Sequence, residues 1–371
     1  MRFSIHRACV LAGSVVLLAL PVLADHDDGD HDRAFIQNFQ NITTKASTVP
    51  ANGDVNPYGV AVVPVTAGVL VKDDILVSNF NNSSNLQGTG TTIDEIGPSG
   101  AVKVFATIDA GGLPGPCPGG VGLSTALVAL RSGFVIVGSL PTSDGTSATA
   151  QAGCLIVLDS SGKPVLTLAG NGINGPWDMT ALDLDYAAVL FVTNVLNGTV
   201  GANGSVVSQG SVLRIVLSTP HGGTPREAAR AVIASGFQER TDPAALVIGP
   251  TGLGLAFDGH LFVADTLQNR IAVIPDALFR HDDAGAGITV SQGGALNGPL
   301  GLAVAPNGDI ITVNSGDGNM IETTARGRQV AVKAVDVSQQ GGGTLFGLAT
   351  APDGKGLYFV DDGNNTLNLL H

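Results

Sequence analysis

Apolar residues along this chain come in short runs separated by turn residues, and one run recurs six times. The copies are Pro57-Tyr58-Gly59-Val60-Ala61, Gly120-Val121-Gly122-Leu123-Ser124, Pro176-Trp177-Asp178-Met179-Thr180, Pro250-Thr251-Gly252-Leu253-Gly254, Pro299-Leu300-Gly301-Leu302-Ala303 and Leu345-Phe346-Gly347-Leu348-Ala349. Each is followed by a second apolar run ending on a small polar or acidic residue: Ile75 to Asn79, Val135 to Ser139, Leu190 to Asn194, Leu261 to Asp265, Ile310 to Asn314 and Leu357 to Asp361. A turn leads to a third strand, such as Arg270 to Ile274, and in most repeats to a fourth, such as Val102 to Ile108. Pro306-Asn307-Gly308 and Pro352-Asp353-Gly354 are tight-turn sequences between first and second strands.

Six such units predict an all-β fold, a six-bladed β-propeller of four-stranded antiparallel blades. The first strand of each blade then lies nearest the axis, where Gly and Ala relieve crowding and the alternate large residue fills the space between blades. The sixth repeat has only three strands of its own. Residues 35–44 (FIQNFQNITT) are expected to supply its fourth and to close the ring, leaving no open edge between first and last blades. Gly/Ser/Asn insertions at 81–98, 140–152 and 197–210 lengthen the early repeats.

Before the repeats come two Arg in residues 1–7, an apolar run from Ala8 to Leu20 and Pro21-Val22-Leu23-Ala24. This has the three-part form of a secretory signal peptide, cleaved after Ala24, and its apolar run is too short to span a bilayer comfortably. Residues 25–34, rich in Asp and His, are expected to be a disordered acidic tail, and residues 35–371 the propeller. The protein is therefore expected in the periplasm or outside the cell, off the membrane once cleaved, as a monomer.

Composition sharpens this. The 371 residues carry 18 basic and 31 acidic side chains, a net charge of −13, with 51 Gly and 5% aromatic residues. Residues 1–24 hold Arg2 and Arg7 and no acid, so the net charge without them is −15. Nucleic acid is excluded as a main partner, because its affinity comes chiefly from Lys and Arg on phosphates. Abundant Gly argues against helices. Once Cys9 leaves with the signal, Cys117 and Cys154 remain, and two cysteines in an oxidising compartment are expected to pair.

Val263-Ala264-Asp265-Thr266-Leu267-Gln268-Asn269-Arg270-Ile271 and Gly298-Pro299-Leu300-Gly301-Leu302-Ala303 resemble the NHL repeat. The resemblance is specific over residues 246–371 and looser over 54–235. Propellers of this kind include calcium-dependent lactonases, a zinc-dependent peptidyl-hydroxyglycine lyase, streptogramin-type lyases and proteins that only bind. In the lactonase type the metal is held by Asn, Asp and Glu, several of them in the residue before the inner-strand Gly. Here that column is Tyr58, Val121, Trp177, Thr251, Leu300 and Phe346, which offers no carboxylate or amide. Neither of the lyase types finds its His in this sequence: His26, His31, His221, His260, His281 and His371 all fall in tails, turns or loops. No metal and no cofactor is therefore expected, and no catalytic residue is assigned.

What does converge is the column closing the second strands: Asn79, Ser139, Asn194, Asp265, Asn314 and Asp361. Strands alternate in direction, so this ring is expected at the same axial mouth as Tyr58, Trp177 and Phe346. Amides, carboxylates and aromatic faces suit a small polar ligand or a protein partner. The competing reading is local, with Asn and Asp capping the turn that follows. Asp178 stands where the other five copies have Gly, beside the only Trp, and is expected to project toward the axis. The favoured function from sequence is an exported, non-catalytic binding or scaffold propeller using this mouth. The alternative is a propeller hydrolase or lyase, lactonase-like or streptogramin-lyase-like, with or without a metal.

Overall fold

The computed structural model describes residues 34–243, 245–336 and 344–371. The expected signal peptide and nearly all of the expected acidic tail lie outside the described residues. The rest forms six antiparallel sheets in propeller order.

The innermost strands are Val55–Val62, Leu123–Ala129, Pro176–Asp183, Pro250–Leu255, Pro299–Val304 and Leu345–Thr350. Five blades are built from contiguous chain. The sixth takes Leu345–Thr350, Leu357–Asp361 and Thr366–Leu370 from one end of the chain and Ile42–Ser47 from the other, paired from Ile42 on Leu370 to Ser47 on Thr366. Ring closure by an N-terminal strand is therefore as expected, with one shift of bounds. Phe35–Asn38 is a 3-10 turn that precedes the closing strand. Its backbone N–H groups at Phe35 and Ile36 donate to the two carboxylate oxygens of buried Glu322, at 2.7 and 2.8 Å. Phe35, Ile36 and Phe39 then pack against Met320 and Phe359 of blades five and six.

The inner-strand glycines are a packing device. A Cβ on Gly301 would lie 1.8 Å from the carbonyl oxygen of Phe346, and one on Gly347 would lie 2.2 Å from that of Tyr58. Neighbouring inner strands approach so closely that only hydrogen fits between them.

Blade two departs from the expected alignment. Its inner strand begins at Leu123, opposite Ser139, and carries a bulge one residue longer than in the other blades before Leu127 meets Val137. Ala126 therefore occupies the position of the other glycines, and Val121 lies in the loop ahead of the strand. Gly122 was a plausible marker by composition, but it serves that loop, packing against the backbone of Gly88. Blade three adds a fifth strand, Leu246–Ile248, because its 17-residue fourth strand overshoots and the chain folds back on Arg240–Asp242.

Cys117 and Cys154 form a disulfide, with Cα atoms 5.2 Å apart. It ties the loop entering blade two to that blade's third strand, closing a 37-residue separation.

Candidate functional site

The two ends of the propeller axis differ. At the end where the inner strands start, Tyr58, Trp177, Leu300 and Phe346 are all at most 3% exposed and share one apolar cluster. Tyr58 stacks on Phe346 at 3.8 Å between ring centroids and on Phe80 at 4.5 Å, and Trp177 lies 6.2 Å from Phe346. Leu140, Ala150, Val195, Leu196, Val200, Leu246 and Val247 cover them. The first five come from or adjoin the insertions that lengthen the early repeats, and Leu246 and Val247 from the added fifth strand of blade three. The Gln87 side chain donates to the Pro243 carbonyl at 3.1 Å, and the Thr142 amide to that of Gly88 at 3.0 Å, so loops from three blades are bonded into a cap.

The mouth expected from sequence is thus an apolar plug beneath a cap. Burial also pushes the Tyr58 hydroxyl well above the usual tyrosine range. Asn79, Ser139, Asn194, Asp265, Asn314 and Asp361 do converge at this end, but at 0 to 5% exposure they form no open rim. Their side chains bond to the protein's own groups, both near and far along the chain. Asn79 donates to Thr48 O and Asp94 Oδ2, and Asn194 Oδ1 accepts from the Asn174 amide. Asp265 pairs with Arg270 at 2.8 Å, Asn314 donates to Ala295 O, and Asp361 accepts from Gly363 N and Asn364 Nδ2. Capping of the following turn was weighed against ligand binding for this column; it describes the bonds of Asp361, while Asn79, Asn194 and Asn314 tie segments distant in the chain. The physical reason is that long insertions with enough apolar side chains fold over a ring of aromatic residues and remove it from water.

The other end is open. A cavity of about 520 Å³ runs along the axis, walled by the later halves of the inner strands. Its walls include Val60 to Val62, Leu127 to Leu130, Asp178 to Ala181, Leu253 to Leu255, Gly301 to Val304 and Gly347 to Pro352. Each inner strand pairs on one side only, so its other edge presents unpaired N–H and C=O groups to this cavity. Aliphatic side chains make up most of the rest of the wall, with Thr125, Thr180 and Thr350 between them. Sequence reasoning placed the mouth at the strand starts and missed these residues. The available signal was the Tyr/Trp/Leu/Phe column itself, which is too apolar for an open rim.

Two titratable side chains line the cavity, Asp183 at its rim and Asp178 inside. Asp178 is the one predicted site residue that reaches it. Its backbone N–H donates to Thr193 Oγ1 at 3.0 Å, and its Oδ2 accepts from the Leu253 N–H of the next blade at 2.9 Å. Burial raises its carboxyl to about 7 against the pull of the Leu253 and Met179 amides. Asp183 Oδ2 is engaged by the Arg131 amide at 2.7 Å. Among the described residues no group of three or more His, Cys, Asp or Glu is placed to hold a metal ion. No described helix is long and apolar enough to cross a membrane.

No protein-family model and no curated protein matches the chain. Solved structures do. A gluconolactonase from Xanthomonas campestris aligns over 88% of each chain at 13% identity and a TM-score of 0.53. A putative gluconolactonase aligns over 91% of this chain and 95% of its own, at 15% identity and 0.52. The calcium-binding protein regucalcin from Agrobacterium tumefaciens aligns over 87% and 92%, at 13% identity and 0.52. At these identities the likeness establishes the six-bladed fold.

Proposed function

We propose that this chain is an exported propeller enzyme, a hydrolase or lyase acting on a small uncharged molecule in the axial cavity, with Asp178 as its proton-transfer group. The observation that carries the reading is the placement of Asp178, a carboxyl near neutrality inside a cavity walled mostly by backbone edges and aliphatic side chains, with Asp183 at the rim. A carboxyl at about 7 divides between acid and base at neutral pH, the condition under which proton transfer works best. Unpaired N–H groups on the inner-strand edges supply donors for an oxygen that gains negative charge. The wall offers no cation to an anionic substrate, which favours an uncharged one such as a cyclic ester. The activities named for the lactonase neighbours support this class over a scaffold role. Export is supported by the disulfide, which belongs in an oxidising compartment, and by the form of residues 1–24.

The test is hydrolysis of a lactone and ester panel by the purified protein and by Asp178→Asn. Turnover that falls at least a hundredfold in the variant, with the fold intact, supports the reading. Equal turnover in both proteins, or none in either, removes it. A second reading, ligand binding without turnover, is favoured by the Asp178–Leu253 bond, which also stitches blade three to blade four. Its signature is a ligand-induced thermal shift with no product.

A further inference from the structure

Away from the axis, in blade one beside the ring-closure seam, three buried oxygen atoms lack any hydrogen-bond donor: Thr48 Oγ1, Asn79 Oδ1 and Asp94 Oδ1. All three residues are fully buried. They belong to one knot, because the Asn79 amide nitrogen donates both to Thr48 O at 3.0 Å and to Asp94 Oδ2 at 3.1 Å. Among the described residues, no other three such atoms belong to residues joined in this way. Buried polar atoms in folded proteins are almost always partnered, and an unpartnered cluster points to an ion or water bound there.

Charge selects between ion and water. A second carboxylate, Asp54, is 4% exposed and accepts from the Thr91 and Thr92 amides, two to three residues before Asp94. Asp94 accepts from the Asn79 amide, and among the described residues no ion pair with Lys, Arg or His reaches it. Asp54 Oδ2 is already saturated by the amides and hydroxyls of Thr91 and Thr92, so it contributes field and leaves the open oxygens to the other three residues. An anionic pocket of hydroxyl, amide and carboxylate oxygens, with no nitrogen or sulfur donor, suits a hard cation.

We propose that Thr48, Asn79 and Asp94 hold a calcium-class cation inside blade one. The site has a structural task. Thr48 follows the closing strand, and its N–H donates to Asn365 O of blade six at 2.9 Å, so a cation there ties the seam between first and last blades.

The test uses the whole chain after chelation and exchange into metal-free buffer. Elemental analysis after calcium loading is expected to return about one calcium per chain, and thermal melting to shift upward by at least 5 °C with 1 mM calcium. Asp94→Asn and Thr48→Val are each expected to lose that shift, and Thr48→Val keeps the test open if the Asp94 variant fails to fold. Sodium is run in parallel, and a shift with sodium alone keeps the site and reassigns the ion as monovalent. No bound cation, with Asp94→Asn as stable as the parent at pH 8, overturns the proposal in favour of a protonated acid or water. A calcium shift that survives both substitutions overturns it as well, since the ion then binds elsewhere.

Discussion

The rings of Tyr58 and Phe346 lie 3.8 Å apart with an 18° angle between their planes, joining blade one to blade six at the closed end of the axis. Both side chains are about as buried as any in the protein. The pair therefore acts as core, and its loss has the energetics of core truncation.

Phe346→Ala is expected to destabilise the protein by about 3 to 5 kcal/mol. It also removes the neighbour of Trp177, the single Trp, which is 2% exposed. Parent fluorescence should be blue-shifted and resist acrylamide. The variant should emit further to the red and quench more readily. Parent emission typical of solvent-exposed Trp would contradict the plug.

Asp178→Asn should retain the fold and lose turnover. If the ionised carboxylate is the working form, the parent rate rises with pH through about 7 and levels above it. The check is a rate profile from pH 5 to 9. An unchanged profile in the variant assigns the proton transfer to another group.

Glu239 predicts the direction of a pH effect on stability. It is fully buried, its Oε1 accepts from Asn197 N at 3.0 Å, its Oε2 has no partner, and burial lifts its carboxyl to about 8. Because the folded value lies above the unfolded one, its contribution is complete below about pH 4.5 and is lost as pH rises through 8. Glu239→Gln should flatten this decline, gaining on the order of 2 to 4 kcal/mol over the parent at pH 9. Urea midpoints at pH 5 and pH 9 give the comparison.

Opening the Cys117–Cys154 bridge should cost about 2 to 4 kcal/mol, the effect of releasing a loop of this length. Thiol reagents should leave both cysteines unmodified until a reductant and denaturant are added. Paired replacement by Ser should lower the melting temperature without altering the strand content measured by circular dichroism.

The architecture was legible because propeller packing writes itself into local sequence. Gly252, Gly301 and Gly347 must be Gly where the next inner strand passes, and Leu253, Leu302 and Leu348 must be large to fill the gap between blades. The Gly recurs in four blades and the large residue after it in all six, and so they produce a repeat. The site does not recur. Whether Tyr58, Trp177 and Phe346 face solvent depends on insertions from blades one, two and three meeting above them, and on Gln87 finding Pro243 at a sequence separation of 156. No local pattern encodes that meeting. Blade two shows the limit at smaller scale. Its inner strand starts at Leu123, three residues after Gly120, and one additional residue in its bulge moves the inner-strand position on to Ala126, where composition alone favoured Gly122.

Asp178 was identifiable for the opposite reason. It breaks the rule its column otherwise follows, and the carboxylate that replaces the missing hydrogen reaches the Leu253 amide of the next blade while facing the cavity.

The split sixth blade has a kinetic consequence. Thr43 and His371 meet through their side chains at 2.8 Å although 328 residues separate them, while the other blades draw on neighbouring segments. Loop-closure entropy makes such a contact slow to form. Five blades can assemble as the chain is delivered, but the ring has to wait for its last strand. In that interval Leu345–Thr350, Leu357–Asp361 and the inner strand of blade one stand without their neighbours, and the arc between them is open to other chains. Folding yield, more than final stability, is where changes in residues 42–47 or 366–370 should be felt first.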